Sequence, residues 1–220
     1  MHLPLLFPFR LLRGIVVVIV HRVGFAVYSF SASFFAIDIL LLVTSSAEAN
    51  MGSSPPLAIA DLCDTYSHLL TNGELRPLPP VFQIYGRNKV FSGHVVTVKC
   101  FEDNVLVREF IAQEGHGRAL VIDGCGSMRS AIIGGDLAKR AQNNGWVGIV
   151  VYGCIRDVDD INLCDIGVRA LNSYPVQPGD KGNGEKHVPL TIAGTRVCDG
   201  DWLYADSDGI IVSSVELAGV

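Results

Sequence analysis

Between Ala119 and Asp157 the chain reads as a short apolar run, a glycine-rich loop, an amphipathic stretch and a second apolar run closed by Arg156-Asp157. This arrangement constrains the fold more than any other feature. Ala119–Asp123 and Val147–Tyr152 are short, rich in Val and Ile, and lack alternation, as expected of strands buried on both faces. Gly134-Gly135 opens an amphipathic helix over Asp136–Asn144, and Gly145 closes it. In a β-α-β unit the helix begins at the carboxyl edge of the first strand, and the second strand returns to that same edge. Gly134–Leu137 and Arg156-Asp157 are therefore expected to converge where open α/β sheets bind ligands.

The flanking segments extend this pattern. Ile59–Leu70 places Ile59, Leu62, Cys63, Tyr66, Leu69 and Leu70 at helical spacing, and Asn72-Gly73 stops it. Leu78-Pro-Pro-Val reads as a loop and the β-branched Gly93–Cys100 as a strand, and Asn104 is placed to cap a helix through Gln113. Val168–Ser173, Val188–Ile192, Trp202–Tyr204 and Ile210–Ser213 predict further short strands. Helices alternate with strands early and strands dominate late, which predicts an α/β fold with a mixed sheet or layered sheets.

The chain has 220 residues and a formal net charge of −5, a size that suits one domain with an appendage. The average hides two unlike parts. Residues 1–43 are strongly apolar, with no acid before Asp38, whereas residues 51–220 carry 14 Lys+Arg and 20 Asp+Glu. A hydrophobic leader over residues 1–50 and a globular domain over residues 51–220 are expected. Val23–Val43 is 21 residues long, interrupted by Gly24, three serines and Asp38; that length spans a bilayer. Ala47-Glu48-Ala49 resembles a signal-peptidase site, and Met51 before Gly-Ser-Ser-Pro-Pro reads as an alternative start. An anchor, a cleaved targeting peptide and an upstream extension all fit the leader. The expected location is cytoplasmic, with anchoring or targeting through residues 1–43 as the alternative.

Composition also excludes function classes. An acidic balance without a Lys/Arg run lacks the basic footprint of a nucleic-acid binder. All six cysteines lie beyond residue 51, several inside apolar runs and none in close C-x-x-C spacing. They are expected to be reduced thiols in a reducing compartment. Gly124-Cys-Gly126 follows a strand, but Arg129 stands where a dinucleotide fingerprint needs its third glycine, and no acid ends the next strand.

The converging residues have complementary chemistry. Gly134 and Gly135 leave backbone N–H groups open at a helix N-terminus, a ready site for a carboxylate. Arg156 offers a planar fork for a carboxylate or an enolate oxygen. Asp157 is a hard oxygen ligand suited to Mg2+ or Mn2+ with waters completing the octahedron. Read without chemistry, the same residues are a helix start and a surface ion pair.

Several stretches together resemble the RraA-like family. They are Val121-Ile-Asp-Gly-Cys-Gly-Ser-Met-Arg, Gly134-Gly-Asp-Leu, Asn144-Gly-Trp-Val-Gly-Ile-Val-Val-Tyr-Gly-Cys-Ile-Arg-Asp, Asp165-Ile-Gly-Val-Arg-Ala-Leu and Gly194-Thr-Arg-Val-Cys-Asp-Gly-Asp-Trp-Leu-Tyr-Ala-Asp. The resemblance runs from about Leu57 to Leu217 and is strongest to plant-type 4-hydroxy-4-methyl-2-oxoglutarate aldolases. It implies a three-layer β/β/α swivelling-domain fold, a homotrimer with sites between subunits, and a divalent-metal pyruvate aldolase with oxaloacetate decarboxylase activity. By this resemblance Gly134, Gly135, Asp136 and Leu137 bind the carboxylate of a small 2-oxo acid. Arg156 binds the keto or enolate oxygen, and Asp157 holds the metal, largely through water. The family acid that precedes Arg-Asp by twenty residues falls on Gly135. Proton handling is left to Asp136, Asp160 or an acid from a neighbouring subunit. The resemblance also implies a rival, a non-catalytic regulator of ribonuclease E, in which Gln follows the motif Arg; here Asp157 stands in that position.

Overall fold

The structure, a computed structural model, describes residues 58–217, so the expected leader lies outside the described residues. In chain order, α1 (Ile59–Thr65) and α2 (Ser67–Asn72) lead into the short strands β1 (Leu75–Pro77) and β2 (Gln83–Tyr85) and the long strand β3 (Phe91–Cys100). α3 (Val105–Ile111), β4 (Ala119–Asp123), β5 (Ala131–Ile133), α4 (Gly135–Asn143) and β6 (Gly148–Ile155) follow. Next come α5 (Val158–Asn162), β7 (Gly167–Ser173), β8 (Gly184–Lys186), and the hairpin of β9 (Leu190–Ile192) and β10 (Thr195–Val197). β11 (Trp202–Ala205) and β12 (Ile210–Ser213) close the domain. Among the described residues no helix is long and apolar enough to cross a membrane.

The main sheet is mixed, with strand order β1-β12-β11-β3-β4-β6-β7-β2. β3 joins its two halves. Phe91–His94 pair antiparallel with β11, and Val95–Lys99 pair parallel with β4. Parallel pairing continues from β4 to β6 in the register Ala119↔Gly148 to Asp123↔Tyr152, and from β6 to β7. Alternate residues of these strands go to opposite faces. Val96, Val98, Leu120, Ile122, Ile149 and Val151 pack with Val107, Phe110 and Ile111 of α3 and Ala138 and Ala141 of α4. Val95, Ala119, Val121 and Val150 pack with Leu190, Ile192, Val197, Leu203 and Val212. Burial on both faces explains the unalternating apolar runs.

The structure departs from the sequence expectations at several points. The expected Ile59–Leu70 helix is broken at Tyr66 (φ −104°, ψ 32°) and runs on to Asn72, where Gly73 caps it with φ +81°. The bend lets Leu62 and Leu69 both pack with Leu75, Tyr204 and Ile211. Asn104 precedes α3 but does not cap it with its side chain. Its amide donates to the Ile132 carbonyl at 3.1 Å, and Asp103 accepts the Val105 N–H instead. The strand expected to end before Gly153 continues to Ile155, because β5 takes the place beside β6 that β4 leaves at Asp123. The expected Val188–Ile192 strand is confined to Leu190–Ile192, which pairs with β10 across an Ala193-Gly194 turn of positive φ. All six cysteines are free thiols, as expected, and burial pushes Cys100 up to about 12.

Close packing of one ring holds the strands in register. An added Cβ at Gly148 would lie 2.2 Å from the Phe91 ring, and one at Gly167 would lie 2.1 Å from it. Arg169, 1% exposed, stands over the same ring at 5.3 Å and donates to the carbonyls of Lys89 and Asp206. Burial pulls its guanidinium down to about 10, against the charge of Asp206, so it stays charged at neutral pH.

A second anchor ties α3 to a distant segment. Asp103, 3% exposed, accepts the N–H groups of Val105 at 2.9 Å, Lys181 at 2.7 Å and Gly182 at 2.9 Å. Burial works to raise its pKa, but these donors, with that of Asn183, hold the carboxyl below the usual carboxylate range.

Two outcomes are expected. Gly148→Ala should destabilise the domain by about 1–3 kcal/mol through overpacking, with partial rescue by Phe91→Leu, both read from urea midpoints. Asp103→Ala should cost about 1–3 kcal/mol at neutral pH by stranding N–H donors. The folded-state value of Asp103 lies below the unfolded value near ~3.9, so the unfolded chain binds more protons between the two. The stability Asp103 contributes is complete above that window and is lost as pH falls through the folded value. The variant should flatten this acid limb, measured as urea midpoints from neutral pH down to about pH 3.

Candidate active site

The chain is led to the site by the carboxyl ends of the central strands. β5 delivers Gly134 directly to the start of α4, whose N-cap is Gly134 in extended conformation. β6 delivers Arg156 and Asp157, and the Arg156 N–H donates to the Ile133 carbonyl at 2.9 Å. The two segments meet as expected from the β-α-β geometry. The Asp157 carboxylate accepts the Gly135 N–H at 3.1 Å, and its Oδ2 lies 3.5 Å from the Arg156 Nε. Asp157 has φ +57° and ψ +49°, the left-handed region, and forms the N-cap of α5. That conformation costs a non-glycine residue roughly 1–2 kcal/mol, least for Asp and Asn.

Glycine is required at the junction by space rather than by φ. A Cβ at Gly134 would lie 2.7 Å from the Asp157 carboxylate oxygen. A Cβ at Gly135 would lie 2.7 Å from the Asp160 Cβ and 3.2 Å from its Oδ2. The carboxylates of Asp157 and Asp160 thus crowd the start of α4, and the room an acid at position 135 would need is filled by Asp160.

Gly134, Asp136, Leu137, Arg156 and Asp157 line one open cleft of about 290 Å3. Gly135 is buried behind it, with its N–H committed to Asp157. The first-turn N–H groups of Asp136 and Leu137 have no intrahelical acceptor, since the α4 ladder starts with Ala138 donating to Gly134. These are the donors left for an anion. A further wall of the cleft comprises Asn104 and Arg108 of the α3 segment and Gln177–Asp180. Sequence reasoning did not find this wall. Its one legible signal is Pro178-Gly179, a turn signature within a segment of no periodicity. Arg108 forms an ion pair with Asp180.

The donor set bears on a metal. No group of three or more His, Cys, Asp or Glu converges among the described residues, which does not suit zinc. Asp157, beside Arg156 on the cleft wall, suits a hard cation that keeps most of its water, whereas Asp160 lies against Gly135 and does not line the cleft.

Residues 59–212 match the family described as RraA-like: Aldolase/RraA. The chain is 63% identical over 159 residues to "Putative 4-hydroxy-4-methyl-2-oxoglutarate aldolase 2" of Arabidopsis thaliana, covering 72% of this chain and 96% of that protein. It is 49% identical over 160 residues to a Paraburkholderia phymatum protein of the same name without the number, covering 73% and 98%. Among solved structures, the RNA-processing inhibitor RraA from Thermus thermophilis aligns with TM-score 0.69 at 39% identity, covering 77% of this chain and 98% of that one. With two thirds of its length matched by the family and relatives well above 30% identity, this chain belongs to the RraA-like family.

Proposed function

We propose that the chain is a divalent-metal-dependent pyruvate aldolase that cleaves 4-hydroxy-4-methyl-2-oxoglutarate and decarboxylates oxaloacetate through the same enolate. The observation that carries this reading is the meeting of the α4 N-terminus, Arg156 and Asp157 in one cleft. The aldolase names of the Arabidopsis and Paraburkholderia relatives support it.

The chemistry follows from the groups present. The carboxylate of a 2-oxo acid accepts the free N–H groups of Asp136 and Leu137 at the positive end of α4. Arg156 donates to the 2-oxo oxygen, and that bond strengthens as negative charge develops there. A carboxylate takes the proton of the C4 hydroxyl, the C3–C4 bond breaks, and its electron pair forms the enolate of pyruvate. The second product leaves as a keto acid, and the enolate takes a proton at C3. Loss of CO2 from oxaloacetate leaves the same enolate. Asp136, which lines the cleft at the start of α4 beside the carboxylate-binding N–H groups, is assigned the proton. Asp157 is the residue that would hold Mg2+ or Mn2+, largely through water. When bound, that cation supplies positive charge beside the developing enolate.

We further propose that the domain adopts a three-layer β/β/α swivelling-domain fold and assembles as a homotrimer. Helices on one face of the parallel strands and β9–β12 on the other support the layering. A second reading, a regulator of ribonuclease E, is favoured by the RNA-processing name of the Thermus structure. Asp157, where the resemblance implies Gln in a regulator, favours the enzyme.

Pyruvate release from both substrates is expected, and EDTA should abolish it. Asp157→Asn should keep the fold and lose about 100-fold or more of turnover, and Arg156→Lys should also fail because a point charge cannot replace the fork. Metal-stimulated release within about threefold of the parent in Asp157→Asn would remove the metal site from this reading.

A further inference from the structure

We infer that Arg108 is the contact for a second, distal carboxylate, making this cleft selective for dicarboxylate 2-oxo acids over their monocarboxylate counterparts. The inference rests on the aldolase reading and deepens it. Arg156 and the α4 N-terminus account for one end of the ligand only: one carboxylate and one oxo oxygen. A second arginine, Arg108 of α3, lines the same cleft. Two cationic anchors carried by different elements, one just past β6 and one in α3, match a ligand with two anionic ends.

The state of Arg108 fits an exchangeable contact. It is fixed in α3 by backbone bonds on both sides, its N–H donating to Asn104 and its carbonyl accepting from Ala112. Its side-chain partner is Asp180, whose side chain is 73% exposed, so the pair contributes little and a competing carboxylate can displace it. Displacement needs no loop movement. The backbone around Asp180 is held by Gly179 donating to the Glu102 carbonyl at 2.7 Å and by Lys181 donating to Asp103 at 2.7 Å. Only the Asp180 side chain must turn away. Asp180 thus occupies the distal subsite as an internal carboxylate until a ligand replaces it.

The test compares two substrates that differ only at the distal carbon, 4-hydroxy-4-methyl-2-oxoglutarate and 4-hydroxy-4-methyl-2-oxopentanoate, in which a methyl group replaces the second carboxylate. Arg108→Gln should raise KM for the first by about 10- to 100-fold, the loss expected for one charged hydrogen-bonded contact, and leave kcat within about threefold. KM for the second should stay within about twofold. Asp180→Asn should lower KM for the dicarboxylate by removing the internal competitor. Calorimetric binding of 2-oxoglutarate and of pyruvate, with Mg2+ present, needs no turnover. Arg108→Gln should weaken the first at least about tenfold and spare the second. Binding of 2-oxoglutarate through Arg108 without pyruvate release would overturn the aldolase reading alone. Equal losses for both ligands, or none for the dicarboxylate, would overturn the assignment of Arg108. Failure of the parent to bind either ligand would overturn both.

Discussion

The parallel pairing of Ala119–Asp123 with Gly148–Tyr152 is the constraint on which the rest of the domain depends. Both strands are covered on both faces, so a slip of one residue would exchange the cluster facing α3 and α4 for the cluster facing β9–β12. Phe91 guards that register. Its ring fills the space a side chain would take at Gly148 and Gly167, on two neighbouring strands. Arg169 closes over the ring with its donors spent on backbone carbonyls and the charge of Asp206 acting in its favour, which is how a charge can be nearly fully buried.

Because that register is set, the carboxyl ends of β5 and β6 end at a common edge, and the reactive groups follow from where the strands stop. Asp157 occupies a left-handed backbone position immediately after β6 and turns its carboxylate onto the Gly135 N–H. The strain is modest for Asp, and it starts α5 at once, with the Ile161 N–H donating to the Asp157 carbonyl at 3.0 Å. Gly134 and Gly135 then serve a steric purpose. A side chain at Gly134 would press on the Asp157 carboxylate and the Arg156 side chain, and one at Gly135 would press on Asp160.

The far wall of the cleft depends on a different interaction. The segment around Gln177–Asp180 has few apolar residues to bury and is held instead by polar anchors: Asp103 on the N–H groups of Lys181 and Gly182, Glu102 on Gly179, and Val176 on Ala131. The site is therefore asymmetric. One wall is rigid, built on strand ends in the parallel sheet. The other combines α3 with a loop tied down at a few backbone positions, where an exposed side chain such as Asp180 can move without disturbing the core.

The sequence by itself determined the α/β class, the two buried strands at Ala119 and Val147, the helix between them and the meeting of Gly134–Leu137 with Arg156-Asp157. These follow from local periodicity and from the handedness and direction of a β-α-β unit, both written in contiguous residues. The tertiary structure alone decided the break at Tyr66, the run of β6 through Gly153 to Ile155, the role of Asn104 as a tie to Ile132, and the wall formed by Arg108 and Asp180. In each case the deciding partner lies far along the chain: Tyr204 and Ile211 for the bent helix, β5 for the extended strand, Asp180 for Arg108 across 72 positions. Periodicity reports which face of an element is buried. It carries no information on which distant backbone group will satisfy a polar side chain, and that choice is made only when the elements pack.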